Sequence, residues 1–157
     1  MFWSNSFEGE LVSFINAYYR DLLAKNDFSI DQKESGSGMG ASITYAGHDI
    51  FILFINDRSS FDVFISSEKD RNIWWEIGFV LAYLELSAKN PFLRYRRKRI
   101  LCDKYSRDKY SENSGMFSER LKTILQIFSP FIYDKTKVEL EKTMKERLKY
   151  WEKIRGW

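Results

Sequence analysis

The only histidine and the only cysteine of this chain set a limit on its nucleophilic chemistry. Because His48 and Cys102 are single, any site that needs two residues of either type is excluded. A cysteine and a histidine can act together as nucleophile and base when they lie within hydrogen-bond reach. His48, however, falls in a predicted hairpin turn, and Cys102 ends an apolar triplet, the usual setting of an inert buried thiol. We therefore predict no Cys–His catalytic pair.

Metal and cofactor sites are not predicted either. The sequence has no cluster of cysteines and histidines with zinc-ligand spacing, and its carboxylates lack the loop spacing of an EF-hand. Three glycines lie in the segment Glu34–Gly40, but no Gly-Lys-Ser/Thr ending and no following helix accompany them, as a phosphate-binding loop requires. We interpret this segment as a flexible connection and expect no metal ion and no cofactor.

Glu76 is a candidate catalytic carboxylate because it lies inside the apolar run Trp74–Ala82, which follows a predicted strand at Phe61–Ser66. This order resembles the strand, loop and Glu-hydrophobic-Gly helix of nucleoside 2-deoxyribosyltransferases and of related Toll/interleukin-receptor-like nucleotide hydrolases. The resemblance implies a parallel βαβ sheet, and it implies that Glu76 attacks or stabilises the anomeric carbon of a ribosyl group. The alternative interpretation is a polar residue on an otherwise buried helix.

A basic run is the second feature with possible chemistry. Five of the six residues from Arg94 to Arg99 are cations, and Tyr95 between them could stack on a base. The run therefore predicts an anion-binding or nucleic-acid-binding segment, although cationic runs are also common on solvated loops. The candidate anion-binding residues are Arg94, Arg96, Arg97, Lys98 and Arg99.

Composition indicates one domain that needs no disulfide. The 157 residues suffice to bury a core, and 44% apolar and 30% charged residues are ordinary globular usage. A single cysteine suits a reducing compartment, and residues 1–5 lack the features of a signal peptide. The longest apolar stretches, Ile50–Ile55 and Ile77–Leu84, are far shorter than the roughly 20 residues of a membrane span. We therefore expect a soluble, cytoplasmic protein without membrane contact.

Charge is divided unevenly along the chain. Residues 1–93 contain seven Lys/Arg against 13 Asp/Glu, whereas residues 94–157 contain 18 against nine, which together give the net charge of +3. A folded chain of this kind has an acidic part and a basic part, and either can attract a charged partner. Mutual neutralisation of the two parts within the domain is the alternative.

Hydrophobic periodicity predicts an α+β fold whose centre is an antiparallel meander of about four strands. Helical spacing of apolar residues covers Phe7–Lys25, and alternation then predicts short strands joined by polar turns. Ile50–Ile55 is apolar on both faces, which is typical of a central strand covered on each side. The predicted strands are Phe28–Gln32, Ala41–Tyr45, Ile50–Ile55 and Phe61–Ser66.

Three helices are predicted to follow the meander and to pack on the sheet. The first runs from about Asn72 to Ser87, with Asp70 or Asn72 as its cap. Ile100–Cys102 is then predicted as a short strand and Asp103–Gly115 as a mobile polar loop. The other two helices begin near Phe117 and at Thr136, where Thr136 and Glu139 have the spacing of a capping box.

The order of helix, meander and helix resembles that of bacterial immunity proteins from polymorphic and contact-dependent toxin systems. The resemblance spans about residues 7–87, and its central segment is Ile50–Ser66, followed by an acidic loop and the helix that contains Trp74 and Trp75. It implies a non-catalytic protein that binds and neutralises a cognate toxin. Because many such toxins have basic clefts, the expected partner-binding residues are acidic: Asp49, Asp57, Asp62, Glu68 and Asp70.

The turns of the meander decide which resemblance ranks first. A parallel crossover needs about a dozen residues or more, whereas the turns before Glu76 contain only two to five. We therefore favour toxin binding, and we keep nucleic-acid binding and ribosyl chemistry at Glu76 as alternatives.

Overall fold

The structure, a computed structural model, describes residues 6–35, 40–88 and 90–154. The first five residues and most of the glycine-rich segment predicted to be flexible lie outside the described residues. The chain begins with helices α1, Ser6–Tyr18, and α2, Arg20–Lys25. They correspond to the single helix predicted from the periodicity, which is interrupted at Tyr19, where the backbone is not helical (φ −125°, ψ −5°).

Five strands form one antiparallel sheet in the order β1-β2-β3-β4-β5. The two-residue turns at His48-Asp49 and Arg58-Ser59 have positive φ at all four positions, the geometry that matches the twist of a hairpin. The predicted α+β meander is therefore confirmed, with one strand more than expected. The strands are β1 Ser29–Ser35, β2 Gly40–Gly47, β3 Ile50–Asp57, β4 Ser60–Ser67 and β5 Asp70–Glu76.

The fifth strand replaces the start of the helix predicted over Asn72–Ser87, so the predicted start and its proposed caps are wrong, whereas the predicted end at Ser87 is confirmed. Trp75 pairs with Ile65 of β4, and its indole Nε1 donates a hydrogen bond of 3.0 Å to the hydroxyl of Tyr133. These contacts come from distant parts of the chain, and they override the helical spacing of the local apolar residues. Helix α3 then runs from Ile77 to Ser87.

The two faces of the sheet differ in how far other parts of the chain cover them. Ile52, Phe54 and Ile65 are fully buried on the inner face, where α1 packs on β2 and β3. On the outer face, Leu53 and Ile55 remain partly exposed, so the prediction that β3 is covered on both sides is only half right. Phe51 and Ser66 on the same face are buried, so the outer face is open only in part, around Leu53 and Ile55.

The chain after α3 is helical almost throughout, which contradicts two predictions. A 3₁₀ turn, Pro91–Tyr95, precedes the short helix α4, Arg97–Arg99, which continues as a π-helical turn, Ile100–Lys104. The predicted strand at Ile100–Cys102 is therefore wrong, because Ile100 and Leu101 are buried as part of a helical segment against α3.

The predicted mobile loop at Asp103–Gly115 is wrong at both ends, because the π-helical turn Ile100–Lys104 extends into it and helix α5, Tyr110–Ile127, begins inside it. Asn113 is buried, and its side-chain amide donates to the carbonyl oxygens of Tyr105 and Ser106. These bonds fix the preceding turn on the first part of α5.

Helix α6, Tyr133–Ile154, begins three residues before the predicted capping box, which is therefore wrong. Thr136 is buried, and its hydroxyl donates back to the carbonyl of Ile132, while the Glu139 carboxylate accepts a hydrogen bond from the hydroxyl of Tyr83. The Thr136 hydroxyl thus bonds back onto the start of its own helix, and Glu139 connects α6 to α3, so the two residues do not form a capping box. Within the described ranges, no helix combines the length and the apolar character needed to cross a membrane.

Candidate functional site

Glu76 stands where β5 becomes α3. Its backbone is extended (φ −63°, ψ 137°), and its carboxylate Oε2 accepts a 2.8 Å hydrogen bond from the backbone N–H of Phe79. A carboxylate at this position satisfies free N–H groups of the first helical turn and interacts favourably with the helix dipole. Glu76 therefore caps the helix that it was predicted to lie within.

Gly78, two residues after Glu76, shows how closely the chain packs at the start of α3. A Cβ added at Gly78 would lie 2.0 Å from the carbonyl oxygen of Tyr105 and 3.0 Å from both carboxylate oxygens of Glu76. Only glycine lets the segment around Tyr105 approach the start of α3 so closely. That segment forms one wall of a cleft over the Glu76 carboxylate.

The cleft, which we call the Glu76 cleft, has a volume of about 440 Å³. Its sheet side consists of outer-face residues: Phe64 pairs with Glu76 across β4 and β5, and Asp62 lies two residues before Phe64. Its helical side comes from the segment that follows α4 and from the last turns of α6. The residues on the helical side are Cys102, Ser106, Arg107, Arg147 and Trp151.

Both carboxylates in the cleft have raised pKa values. Burial raises the pKa of Glu76, and the backbone N–H groups of Phe79 and Gly78 and the charge of Arg147 oppose this only in part. Burial also raises the pKa of Asp62, although Arg107 lies 3.3 Å from its Oδ1. The cleft is therefore a place where charged groups are poorly solvated.

Arg147 is the counterpart of Glu76 on the helical side. Its guanidinium lies 4.3 Å from the ring centre of Trp151 and 5.7 Å from that of Phe79. Burial lowers the pKa of Arg147, and the negative charge of Glu76 offsets part of this effect. Among the described residues, Arg147 and Glu76 form no ion pair with each other, and the buried atoms Arg147 Nε and Glu76 Oε1 have no hydrogen-bond partner.

The raised pKa of Glu76 predicts a pH dependence of stability. Below the ordinary pKa of 4.5, Glu76 is protonated in both the folded and the unfolded chain. As pH rises from there to the folded pKa, the folded chain keeps a proton that the unfolded chain loses, so the free energy of unfolding decreases. We expect Glu76→Gln to remove this contribution, so that the difference between variant and parent grows over this range and then levels off. Urea unfolding at a series of pH values measures it, and a difference independent of pH would contradict it.

The structure separates the five predicted partner-binding carboxylates into two groups. Asp49 and Glu68 lie on adjacent turns at one end of the sheet, where Asp70 forms a 3.0 Å ion pair with Lys137. Asp57 and Asp62 lie towards the other end, beside the turn between β3 and β4. The five residues therefore do not form one continuous surface.

Asp57 and Asp62 belong to a shallow groove on the outer face, which we call the acidic groove. Its floor includes the partly exposed side chains of Ile55 and Phe64, and its volume is about 440 Å³. Glu34 at the end of β1 also lines this groove, and sequence reasoning missed it. Glu34 lies opposite Ser42, Ser42 opposite Ile55 and Ile55 opposite Asp62, so the register of the folded sheet places them on one face. The predicted first strand ends at Gln32, so its alternation assigns no face to Glu34.

The predicted anion-binding residues lie on helical turns, and they differ in their exposure to solvent and in their contacts with other side chains. Arg97 is engaged, since its Nε and Nη2 donate to the two carboxylate oxygens of Glu146 at 2.8 and 2.6 Å. Arg94 donates to the hydroxyl of its neighbour Tyr95, which is 75% exposed. Arg96, Lys98 and Arg99 are exposed, so four of the five cations face solvent, and the anion-binding prediction stays a prediction.

The remaining candidates do not come together. His48 Nε2 donates to the carbonyl oxygen of Asn26 at the turn between β2 and β3, whereas Cys102 lines the Glu76 cleft. Among the residues that the structure describes, no group of three or more histidine, cysteine, aspartate or glutamate side chains is arranged to hold a metal ion.

Known proteins do not supply a function for this arrangement. The parallel sheet implied by the ribosyltransferase resemblance is not found in the described residues, where every strand pair is antiparallel. Comparison with protein-family models, with curated protein sequences and with solved structures finds no match to this chain.

Proposed function

We propose that this chain is a non-catalytic binding protein of the immunity type, which neutralises a cognate bacterial toxin in the cytoplasm by direct contact. One observation carries the proposal: the outer face of the sheet is open at the acidic groove, where apolar side chains lie between carboxylates. This surface agrees with the contact that the immunity-protein resemblance implies.

The acidic groove has the composition of a docking surface. Ile55 and Phe64 are partly exposed at its centre, while Asp57 and Glu34 are exposed at its edge. Protein interfaces commonly combine an apolar centre, which loses its water on binding, with a polar rim that stays wet. The groove therefore suits a partner with an apolar residue surrounded by basic ones.

Charge in the groove favours a basic partner. Asp62 is already compensated by Arg107, but Asp57 and Glu34 have no ion-pair partner among the described residues. A nuclease toxin with a basic cleft would supply the missing cations, and the apolar centre would contribute the burial energy. Electrostatic attraction of this kind accelerates association and selects the correct partner.

Co-expression tests the proposal. The proposal expects the partner to be the variable C-terminal toxin domain of a large secreted protein encoded in the reading frame just upstream. We expect the parent chain to protect cells and to co-purify with this domain. Ile55→Asp and Asp57→Lys should each weaken the complex by about tenfold or more, because they place a charge in the apolar centre or reverse one at the rim.

Two control variants separate a docking effect from a general effect of the substitution. Val138→Asp introduces the same charge at an exposed apolar residue of α6, and Glu119→Lys makes the same reversal at an exposed residue of α5. Both should leave the complex unchanged. Absence of complex and of protection with the parent chain would refute the proposal, as would groove variants that bind as tightly as the controls.

Nucleic-acid binding is a second candidate function, favoured by a different surface. Phe92 and Tyr95 are 71% and 75% exposed beside the exposed arginines Arg94 and Arg96, and aromatic rings next to cations suit single-stranded nucleic acid. Binding of that kind decreases steeply with salt and does not depend on Ile55 or Asp57. The acidic-groove variants therefore distinguish the two functions.

A further inference from the structure

The Glu76 cleft separates its charges by side. Carboxylates come from the sheet, at Asp62 on β4 and Glu76 on β5, and guanidinium groups come from the helical side, at Arg107 and Arg147. Two negative and two positive charges therefore face a common volume of about 440 Å³, within the usual size range of small-molecule sites.

Of the two opposite-charge pairs, Asp62 with Arg107 and Glu76 with Arg147, only the first lies within ion-pair distance. Arg107 lies 3.3 Å from Asp62, so these two charges compensate each other. Glu76 and Arg147 form no such ion pair among the described residues. Glu76 Oε1 and Arg147 Nε are buried without a hydrogen-bond partner, and Asp62 Oδ1 also lacks a hydrogen bond although Arg107 lies beside it. A buried polar atom without a partner is costly, and a ligand that bonds it recovers that cost.

Other contacts hold both groups in place on either side of the space. The second carboxylate oxygen of Glu76 is fixed by the N–H of Phe79, and the guanidinium of Arg147 is stacked on Trp151. Neither group can turn towards the other without losing its contact. A ligand that fills the space between them must therefore offer a hydrogen-bond donor to Glu76 and an acceptor to Arg147.

We propose that the Glu76 cleft binds a zwitterionic small molecule of the α-amino-acid class, with its ammonium group against Glu76 and its carboxylate against Arg147. A ligand with only a cation would leave Arg147 unsatisfied and close to a like charge, and a ligand with only an anion would do the same to Glu76. A zwitterion compensates both groups at once. The proposal does not rest on toxin binding, although the Glu76 cleft and the acidic groove share Asp62 and Phe64.

The rest of the cleft indicates which side chain the ligand carries. Phe64 on the sheet side and Trp151 on the helical side are partly exposed within it, and Cys102 adds a further weakly polar surface. These groups favour an apolar or aromatic side chain, because its burial against them removes apolar surface from water. We therefore expect leucine-like or phenylalanine-like ligands to bind more tightly than aspartate or lysine.

Isothermal titration calorimetry with the twenty L-amino acids tests the proposal on the full chain. For the amino acid that binds most tightly, the N-acetyl derivative removes the cation and the carboxamide removes the anion. Each derivative should bind at least about 30-fold more weakly, since loss of one partner of a buried charge pair costs about 2 kcal/mol or more.

Two variants assign these losses to residues. Glu76→Gln should reduce affinity for the free amino acid while largely abolishing the difference between it and its N-acetyl derivative. Arg147→Gln should reduce affinity for the free amino acid and largely abolish the difference in affinity between it and its carboxamide. Arg147→Lys should restore part of the affinity for the free amino acid. Glu119→Gln, at an exposed position of α5, is the matched control and should bind like the parent chain.

Three results would overturn the proposal. They are absence of binding across all twenty amino acids, equal binding of the blocked derivatives, and unchanged affinity in Glu76 and Arg147 variants whose circular dichroism shows a native fold. Loss of toxin binding in the acidic-groove variants with retained amino-acid binding would show that the two sites act separately.

Discussion

Replacing Gly78 with alanine is expected to lower the free energy of unfolding by about 3 kcal/mol or more, measured by urea unfolding. The added Cβ would lie 2.0 Å from the carbonyl oxygen of Tyr105, a backbone atom that cannot turn away as a flexible side chain does. Either α3 or the segment around Tyr105 must therefore shift. The same shift would move Glu76, whose carboxylate oxygens lie 3.0 Å from the added atom.

Gly115→Ala is the matched control for this prediction. Gly115 lies inside α5, and a Cβ added there meets nothing within 4 Å. Alanine is the better helix former, so this variant should be more stable than the parent by roughly 0.5–1 kcal/mol. Similar effects of the two substitutions would show that close packing at Gly78 is not what requires glycine.

The Gly78 result also bears on the Glu76 cleft. If the segment around Tyr105 moves away from α3, Ser106 and Arg107 move with it, and the helical wall of the cleft opens. We therefore expect amino-acid binding to weaken in Gly78→Ala even under conditions where the variant remains folded.

Replacing Asn56 with aspartate is expected to destabilise the protein by about 3 kcal/mol or more. Asn56 is fully buried, and its amide nitrogen donates to the carbonyl of Phe7 at 2.9 Å and to Glu10 Oε2 at 3.1 Å, while its oxygen accepts from the N–H of Ser59 at 2.8 Å. An aspartate keeps the acceptor but loses both donated bonds and places a second negative charge beside Glu10.

Lower pH and a second substitution should each restore part of the stability that Asn56→Asp loses. The introduced carboxylate is buried beside a like charge, so its folded pKa is raised, and the variant should regain stability as pH falls and the group takes up a proton. Glu10→Gln in the same chain should also recover stability by removing the like charge. Asn90→Asp is the control, because Asn90 is exposed and its side chain, within the part of the chain that the structure describes, accepts a hydrogen bond from the N–H of Phe92 and donates none.

A large effect at Asn56 would connect the core to the proposed docking surface. Ser59 also donates through its hydroxyl to Glu10, so Asn56 and Glu10 together hold the turn between β3 and β4 against α1. Asp57 lies at the start of that turn. Loss of this anchor should therefore weaken toxin binding as well as stability.

Local sequence patterns were sufficient for the meander. Alternating apolar residues and short polar turns predicted β1 to β4, and the Asp-Arg-Ser and His-Asp turns close hairpins of the expected geometry. Such turns depend mainly on the preferences of a few neighbouring residues, which explains why they can be predicted without the rest of the chain.

The same patterns failed where distant contacts decide the conformation. Trp74 and Trp75 have apolar neighbours at helical spacing, yet they lie on β5, because pairing with β4 and the bond to Tyr133 stabilise a strand there. Ile100–Cys102 is an apolar run of three residues, too short to distinguish a strand from a buried helical turn. The predicted loop before α5 is ordered by Asn113, whose partners in the preceding turn no spacing rule anticipates.

The candidate sites divide in the same way. The residues themselves marked Glu76 and the acidic turns as places for chemistry or binding, because charge and apolar context are local properties of a sequence. Only the folded chain brought Asp57 together with Glu34, separated Asp49 and Glu68 from them, and set Arg147 opposite Glu76 across a cleft. Those neighbours are 23 and 71 positions apart in sequence, and strand register and helix packing, which depend on the whole core, determine their approach.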